Sequence, residues 1–159
     1  MPVNMTTTET IGVISDTHGL MRPEALDALA GSKLIIHAGD VGKTQILEAL
    51  ELIAPVVAIK GNIDKTETEH LPDTLTVEHN DLKIYILHDL NELTIDPVKE
   101  NYDVVISGHS HKPLIKNTNG VLYLNPGAAG PRRFKLPVCV AHLTSANDKP
   151  FAKIIELNI

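Results

Sequence analysis

Three short apolar runs mark the first part of the chain: residues 10–15 (TIGVIS), 33–38 (KLIIHA) and 55–60 (PVVAIK). Runs of this length without alternation are the pattern of strands buried on both faces. Two helical patterns lie between them. One begins near Arg22, places Pro23 in a first turn that needs no N–H, and stops at Gly31. The other covers 43–54, with Ile46, Leu47, Leu50 and Ile53 on one face and Pro55 as its stop. Strand–helix–strand–helix–strand predicts a parallel sheet with right-handed crossovers.

The rest of the chain reads differently. TLTVEH (74–79), KIYILH (83–88), VVIS (104–107), VLYLN (121–125), PVCVAHL (137–143) and FAKIIEL (151–157) are strand-like, and most are joined by short turns. Asn80-Asp81 and Asn119-Gly120 carry hairpin turn chemistry. No repeat of solenoid spacing and no low-complexity segment interrupts the pattern. The predicted architecture is α/β: two packed mixed β-sheets flanked by helices, in a single domain over 1–159, with residues 1–9 as a flexible tail.

Composition narrows the function classes. At 159 residues, 43% hydrophobic and 21% charged, the chain can bury a sizeable core and is not a disordered type. A formal charge of −6 argues against a general grip on nucleic acid, and it calls for local cations or metals if the substrate is anionic. Cys139 is the one cysteine, so there is no internal disulfide, and its apolar surroundings predict a buried thiol. No run reaches the length of a membrane span, and the start lacks the basic and apolar regions of a secretory signal. The expected location is the cytoplasm, and a homo-oligomer is compatible with everything above.

The chemistry gathers where strands end. Asp16 and His18 follow the first run, Asp40 the second, Asn62 the third, His88 the run at 83–88, and His109 and His111 the run at 104–107. In α/β sheets, ligands collect outside the carboxyl ends of the strands. Two Asp, four His and one Asn form a nitrogen–oxygen donor set for borderline divalent metals, and seven donors exceed what one tetrahedral ion needs. The i, i+2 spacing of Asp16/His18 and of His109/His111 would turn each pair the same way in extended backbone. Gly39, Gly61 and Gly108 precede donors and would let the backbone turn sharply and approach an ion closely. Singly, each residue has a plain structural explanation: Asp16 as a turn cap, "GD" and "GN" as common turn dipeptides, His88 as a hydrogen-bonded rim histidine. Their joint occurrence, in order and each at a strand end, points to a metal site.

Taken in order, "DTH", "GD", "GN", a single His and "GHSH" resemble the calcineurin-like metallophosphoesterases, over nearly the whole chain. The small prokaryotic phosphodiesterases, which share the "HAGD" context and the "LNPGA" segment after "GHSHKP", are the most similar branch. The resemblance implies an αββα four-layer sandwich and a two-metal centre. By it, Asp16, His18, Asp40 and His111 would hold the first ion. Asp40 would bridge to a second held by Asn62, His88 and His109, with Asp40, Asn62 and His109 acting as catalytic residues. The implied cofactors are two divalent ions, Mn²⁺ foremost, with Ni²⁺, Fe²⁺, Co²⁺ or Zn²⁺ as alternatives. The implied substrate is a small phosphodiester, cleaved by a hydroxide activated between the ions.

Two positions depart from the family pattern. Ile63 stands after "GN" where many members have a His that assists the leaving group, so either the substrate's leaving group is itself stabilised or the proton comes from another source, His37 or coordinated water. Asp89 follows His88 where relatives commonly have Gly. Around the centre, Asp64 is expected either to orient a ligand or to set a turn, and His37 to act behind the ligands rather than among them. Arg132 and Arg133 are expected either to dock an anionic substrate or to be solvated. Gly127 and Gly130 are expected to set a turn, and His70, His79 and His142 to be ordinary. Two readings compete with a phosphodiesterase. One is a non-catalytic interaction scaffold on the same fold, as in a retromer subunit that resembles these enzymes. The other is a metal-free nucleotide-binding domain.

Overall fold

The computed structural model describes residues 9–159. The tail expected over 1–9 lies outside the described residues except for Glu9, whose carboxylate is 4.0 Å from His79 Nε2. In chain order the elements are β1 (Ile11–Ile14), α1 (Pro23–Leu29), β2 (Leu34–His37), α2 (Thr44–Glu51), β3 (Val56–Ala58), β4 (Thr74–His79), β5 (Leu82–Leu87), β6 (Val104–Ile106), β7 (Leu114–Thr118), β8 (Val121–Asn125), β9 (Cys139–Ala146) and β10 (Lys149–Glu156). A 3₁₀ turn at Leu90–Glu92 follows β5.

Two mixed five-stranded sheets result, ordered β10-β9-β1-β2-β3 and β4-β5-β6-β8-β7. In the first, β1, β2 and β3 run parallel, with Ile11 opposite Leu34 and Ile35 opposite Val56, and the β9–β10 hairpin joins antiparallel to β1. In the second, β5, β6 and β8 run parallel between the antiparallel edges β4 and β7. β7 has no counterpart among the predicted strands. It is an exposed edge strand with two apolar residues and no alternation, so nothing in its own pattern marks it. The turn that closes it was legible: Asn119 and Gly120 sit at φ 52° and 83°, and Asn80 and Asp81 at 51° and 64°, as two-residue hairpin turns require.

Alternation within each strand sorts side chains into layers. Ile11, Val13 and Ile36 of the first sheet meet Ile84, Ile86, Val104, Ile106 and Leu124 of the second in the inter-sheet core. Ile14 and Ile35 face the other way, onto Ala25 and Leu29 of α1 and Ile46 and Leu50 of α2. Each of these Val, Leu and Ile side chains contributes about 1.5–3 kcal/mol when fully buried. Pro23 stands at the start of α1, as its sequence implied. The Lys43 side chain does not cap α2. Glu67 caps it instead from a distant loop, accepting from Thr44 N at 2.6 Å and Thr44 Oγ1 at 3.2 Å. On the outer face of the second sheet the covering layer is thin: Leu90 and Leu93, at the 3₁₀ turn, pack on Leu87, Val105 and Val121. Cys139 is buried in β9, and among the described residues no helix is long and apolar enough to cross a membrane.

Candidate metal centre

Parallel pairing sends the carboxyl ends of β1, β2 and β3 to one rim, and those of β5 and β6 to the facing rim of the second sheet. Past the strands, the loops keep their ladder: Asp16 N donates to Gly39 O, His18 N to Asp40 O and Gly19 N to Val41 O, each at 2.9 Å. Gly108 N donates to His88 O, also at 2.9 Å, in the second sheet. The donors therefore sit on loops tied strand to strand.

The backbone that aims them is not the extended one expected from the i, i+2 spacing. Asp16, His18, Asp40, His109 and His111 have φ of 56°, 47°, 57°, 69° and 64°. β1 and β6 end at Ile14 and Ile106, so the pleat is lost before the donors begin and left-handed residues fold the loops back over the strand ends. Asp and His tolerate this region better than most residues, yet each instance costs of order 1 kcal/mol. Close approach was read correctly from the glycines: a Cβ on Gly39 would lie 2.5 Å from His88 Nδ1, and one on Gly61 or Gly108 would collide with Asp40 or with Ser15.

Second partners fix which atom each donor presents. Asp16 Oδ2 accepts from Ser15 Oγ at 2.7 Å and from His109 N at 3.0 Å. Its Oδ1 is left facing His111 Nε2 at 3.5 Å, His88 Nε2 at 3.8 Å and His18 Nε2 at 3.9 Å. Asp40 Oδ1 accepts from Ile63 N at 3.0 Å, which turns Oδ2 toward His88 Nε2 at 3.3 Å and His18 Nε2 at 3.5 Å. His88 Nδ1 lies 2.7 Å from Ala38 O. A carbonyl only accepts, so Nδ1 carries the proton and the Nε2 lone pair faces the carboxylates. Asp16 Oδ1, His18 Nε2 and His88 Nε2 are buried without a hydrogen-bond partner.

Acceptor atoms turned toward one another in a buried space are unstable unless a cation or a proton lies between them. Titration tendencies express this. Burial pushes Asp16 up to about 6, against the pull of His88 and the Ser15 hydroxyl. Burial would lower His88, but Asp40, the Ala38 carbonyl and Asp16 outweigh it and raise the ring to about 9. Burial would raise Asp40, but the adjacent His88 ring and the Ile63 N–H outweigh it and hold the carboxyl at about 2. Burial, then the nearby Arg133 charge, lowers His111 to about 4. Imidazole nitrogens and carboxylate oxygens are also the donors that borderline divalent ions take, so the residues present fit metal ions.

Two groups satisfy the distance needs of a metal site: Asp16, His18 and His111, and Asp16, Asp40 and His88. Asp16 belongs to both, and Asp40 also lies between His18 and His88. The His109 ring packs edge-on to His88 at 5.2 Å, with its side chain 42% exposed, and Asn62 lines a cavity with His88 and Lys60. All seven predicted donors thus lie on one rim, five in tight clusters and two at its open margin.

Several neighbours were undervalued from sequence. Asp89 Oδ2 stands 3.7 Å from His109 Nε2; a carboxylate directly after a strand-end His was the available signal. Asn125, ending β8, donates from Nδ2 to Gly108 O at 2.9 Å and Ser110 Oγ at 3.1 Å, holding the His109 loop. Asp64 is buried and accepts from Gly61 N (2.8 Å), Gly42 N (2.9 Å), Val41 N (3.2 Å) and Thr68 Oγ1 (2.7 Å). His37 is fully buried, receives Gly39 N on Nδ1 at 3.1 Å and meets Thr17 Oγ1 through Nε2 at 3.0 Å. With both nitrogens engaged it is no proton donor to a substrate, which corrects that expectation. Ile63 is 43% exposed beside the centre.

Comparison with known proteins identifies the family and the fold. The chain is 39% identical to a probable metallophosphoesterase of Methanocaldococcus jannaschii, covering 92% of this chain and 81% of that one. It is 30% identical to a phosphodiesterase of the same organism over 74% of this chain and 82% of that one. Vacuolar protein sorting 29 of Cryptosporidium parvum has the same fold, with a TM-score of 0.74 at 19% identity over 96% and 99% of the two chains. Residues 10–148 match the model of the calcineurin-like phosphoesterase superfamily domain, and the chain belongs to that family.

Proposed function

We propose that the protein is a metal-dependent phosphodiesterase that holds two divalent ions among Asp16, His18, Asp40, Asn62, His88, His109 and His111, with Mn²⁺ as the first choice. The observation that carries this reading is the convergence of Asp16 Oδ1, His18 Nε2 and His88 Nε2, buried and unpartnered, on one space. Bound ions would supply Lewis acidity toward the phosphoryl oxygens and lower the pKa of water. The chain itself supplies aim and exclusion. Ser15 Oγ and the His109 N–H hold Asp16 in one rotamer, Ala38 O fixes the His88 tautomer, and the Ile63 N–H holds Asp40. Such second partners typically account for 10–100-fold in metal affinity or activity.

The exposed margin carries Asn62 and His109, so the ester enters there and meets the buried carboxylates last. Ile63 offers that ester no proton and His37 is sealed away, so diesters with good leaving groups are the expected substrates. The fold likeness to vacuolar protein sorting 29 favours a second reading, a non-catalytic scaffold; the complete donor set favours the enzyme. Bis(p-nitrophenyl) phosphate separates the two. Hydrolysis should fall to background in EDTA and return with Mn²⁺. Full activity in protein shown to be metal-free, or no hydrolysis with any of Mn²⁺, Ni²⁺, Fe²⁺, Co²⁺ and Zn²⁺, overturns the proposal.

A further inference from the structure

The loop between β8 and β9 carries a surface that diester hydrolysis alone leaves unused. Phe134 on that loop is 87% exposed. Twelve non-glycine residues among those described have left-handed backbone; eleven are Asp, Asn or His, and Phe134, at φ 55°, is the exception. A bulky residue in that region is an outlier that its surroundings must enforce. The loop is rooted on the donor-bearing turn after β1. Ala129 N donates to Ser15 O at 3.0 Å and Gly130 N to Asp16 O at 3.2 Å, Arg22 Nε donates to Gly130 O at 3.2 Å, and a Cβ on Gly130 would collide with Thr17 O. The base of the loop that carries Phe134 is therefore tied to the donor-bearing turn.

Its neighbours are cationic. Phe134 lines an open cavity of about 930 Å³ with His109, Ser110, Lys112, Arg133, Lys135 and Leu136. Arg133 also lines the smaller cavity that reaches His18 and His111, so it stands between the aromatic ring and the metal centre. Among the described residues the only lysine or arginine in an ion pair is Lys60, with Asp73. Lys112, Arg133 and Lys135 are thus uncompensated, in a chain whose formal charge is −6. An exposed aromatic face flanked by unpaired cations, continuous with a phosphoester site, is the equipment for a planar base attached to an anionic backbone.

We propose that this wall selects phosphodiesters carrying a nucleobase: the base stacks on Phe134 while Arg133, Lys112 and Lys135 hold the anionic oxygens beside His109. The inference rests on the phosphodiesterase reading and deepens it by naming the substrate class. The test uses two diesters with one leaving group, thymidine 5′-(p-nitrophenyl phosphate) and methyl p-nitrophenyl phosphate. In the wild type, kcat/KM should favour the thymidine ester by about tenfold or more, and Phe134→Ala should bring the ratio near one, the loss expected for one base–aromatic stack. Etheno-AMP anisotropy, measured with Mn²⁺ and with EDTA, reads the wall without turnover, and Phe134→Ala should weaken binding about tenfold. A wild-type ratio of one, a ratio unmoved by the substitution, or etheno-AMP that fails to bind or binds both proteins alike overturns the proposal. If neither ester is cleaved but etheno-AMP binding still depends on Phe134, the wall stands and the phosphodiesterase reading falls.

Discussion

His37 is the strand-end histidine that the donor pattern passes over, and its ring nitrogens give the reason. Nδ1 must be the acceptor, because its partner is the Gly39 N–H. Nε2 therefore carries the proton and donates to Thr17 Oγ1, whose own hydrogen continues to Val41 O at 2.9 Å. A second proton on the ring would break the Gly39 bond and place a charge in a fully buried position. Burial chiefly accordingly lowers its pKa from 6.5 to about 4. The unfolded chain takes up this proton first on acidification, so the folded state loses stability as pH falls from about 6.5 toward 4, and the loss levels off below that. The full contribution, present above pH 6.5, is about 3 kcal/mol. Urea unfolding of wild type and His37→Gln between pH 7.5 and 4.5, both in EDTA, measures it. The wild-type curve should fall more steeply by roughly that amount, and parallel curves would refute the assignment.

Asp64 matters at the level of elements, since it ties the turn after β2 to the turn after β3. Its two oxygens accept three backbone N–H groups and a hydroxyl. Asp64→Asn keeps the volume but replaces one oxygen by a donor that faces other donors. The expected loss is about 3 kcal/mol of stability, the range for hydrogen bonds to a buried charged group, together with weaker metal retention as Asp40 loosens. Denaturant midpoint and bound-metal content should drop together; a variant as stable as wild type would show that the turns hold without this tie. The example also shows where the sequence was legible. Apolar or alternating strand-like runs located nine of the ten strands, and polar residues directly after five of those runs marked the rim. Edge strand β7 was hidden because an exposed strand needs no apolar face, and the Glu67 cap on α2 because its partner is distant in sequence. The i, i+2 rule expected extended backbone at His109 and His111, whereas left-handed backbone and not the pleat sets where those side chains lie. Asp89 and Asn125 could be read as residues, but not as partners of the His109 loop, until β5, β6 and β8 lay side by side.

For the whole molecule, the centre is a seam. Asp16, His18, Asp40 and Asn62 come from the first sheet, and His88, His109 and His111 from the second. Below the rim the sheets are held by aliphatic packing; at the rim they meet through polar atoms that lack partners. Ions held there would join the sheets, so metal affinity becomes folding stability. At a free metal concentration 100 times the dissociation constant the gain is about 2.7 kcal/mol. For a chain of this size that raises Tm by roughly 5–10 °C. Scanning calorimetry in EDTA and in Mn²⁺ reads this without any substrate. Asp16→Asn on one sheet and His88→Asn on the other should each abolish most of the rise, because each removes one side of the seam. In EDTA, Asp16→Asn should melt no lower than wild type, since it deletes a buried charge while its remaining oxygen still accepts from Ser15 Oγ and the His109 N–H. A metal-induced rise that survives Asp16→Asn but not His88→Asn would place the ions on the second sheet alone, and the two sheets would then owe their alignment to the aliphatic core.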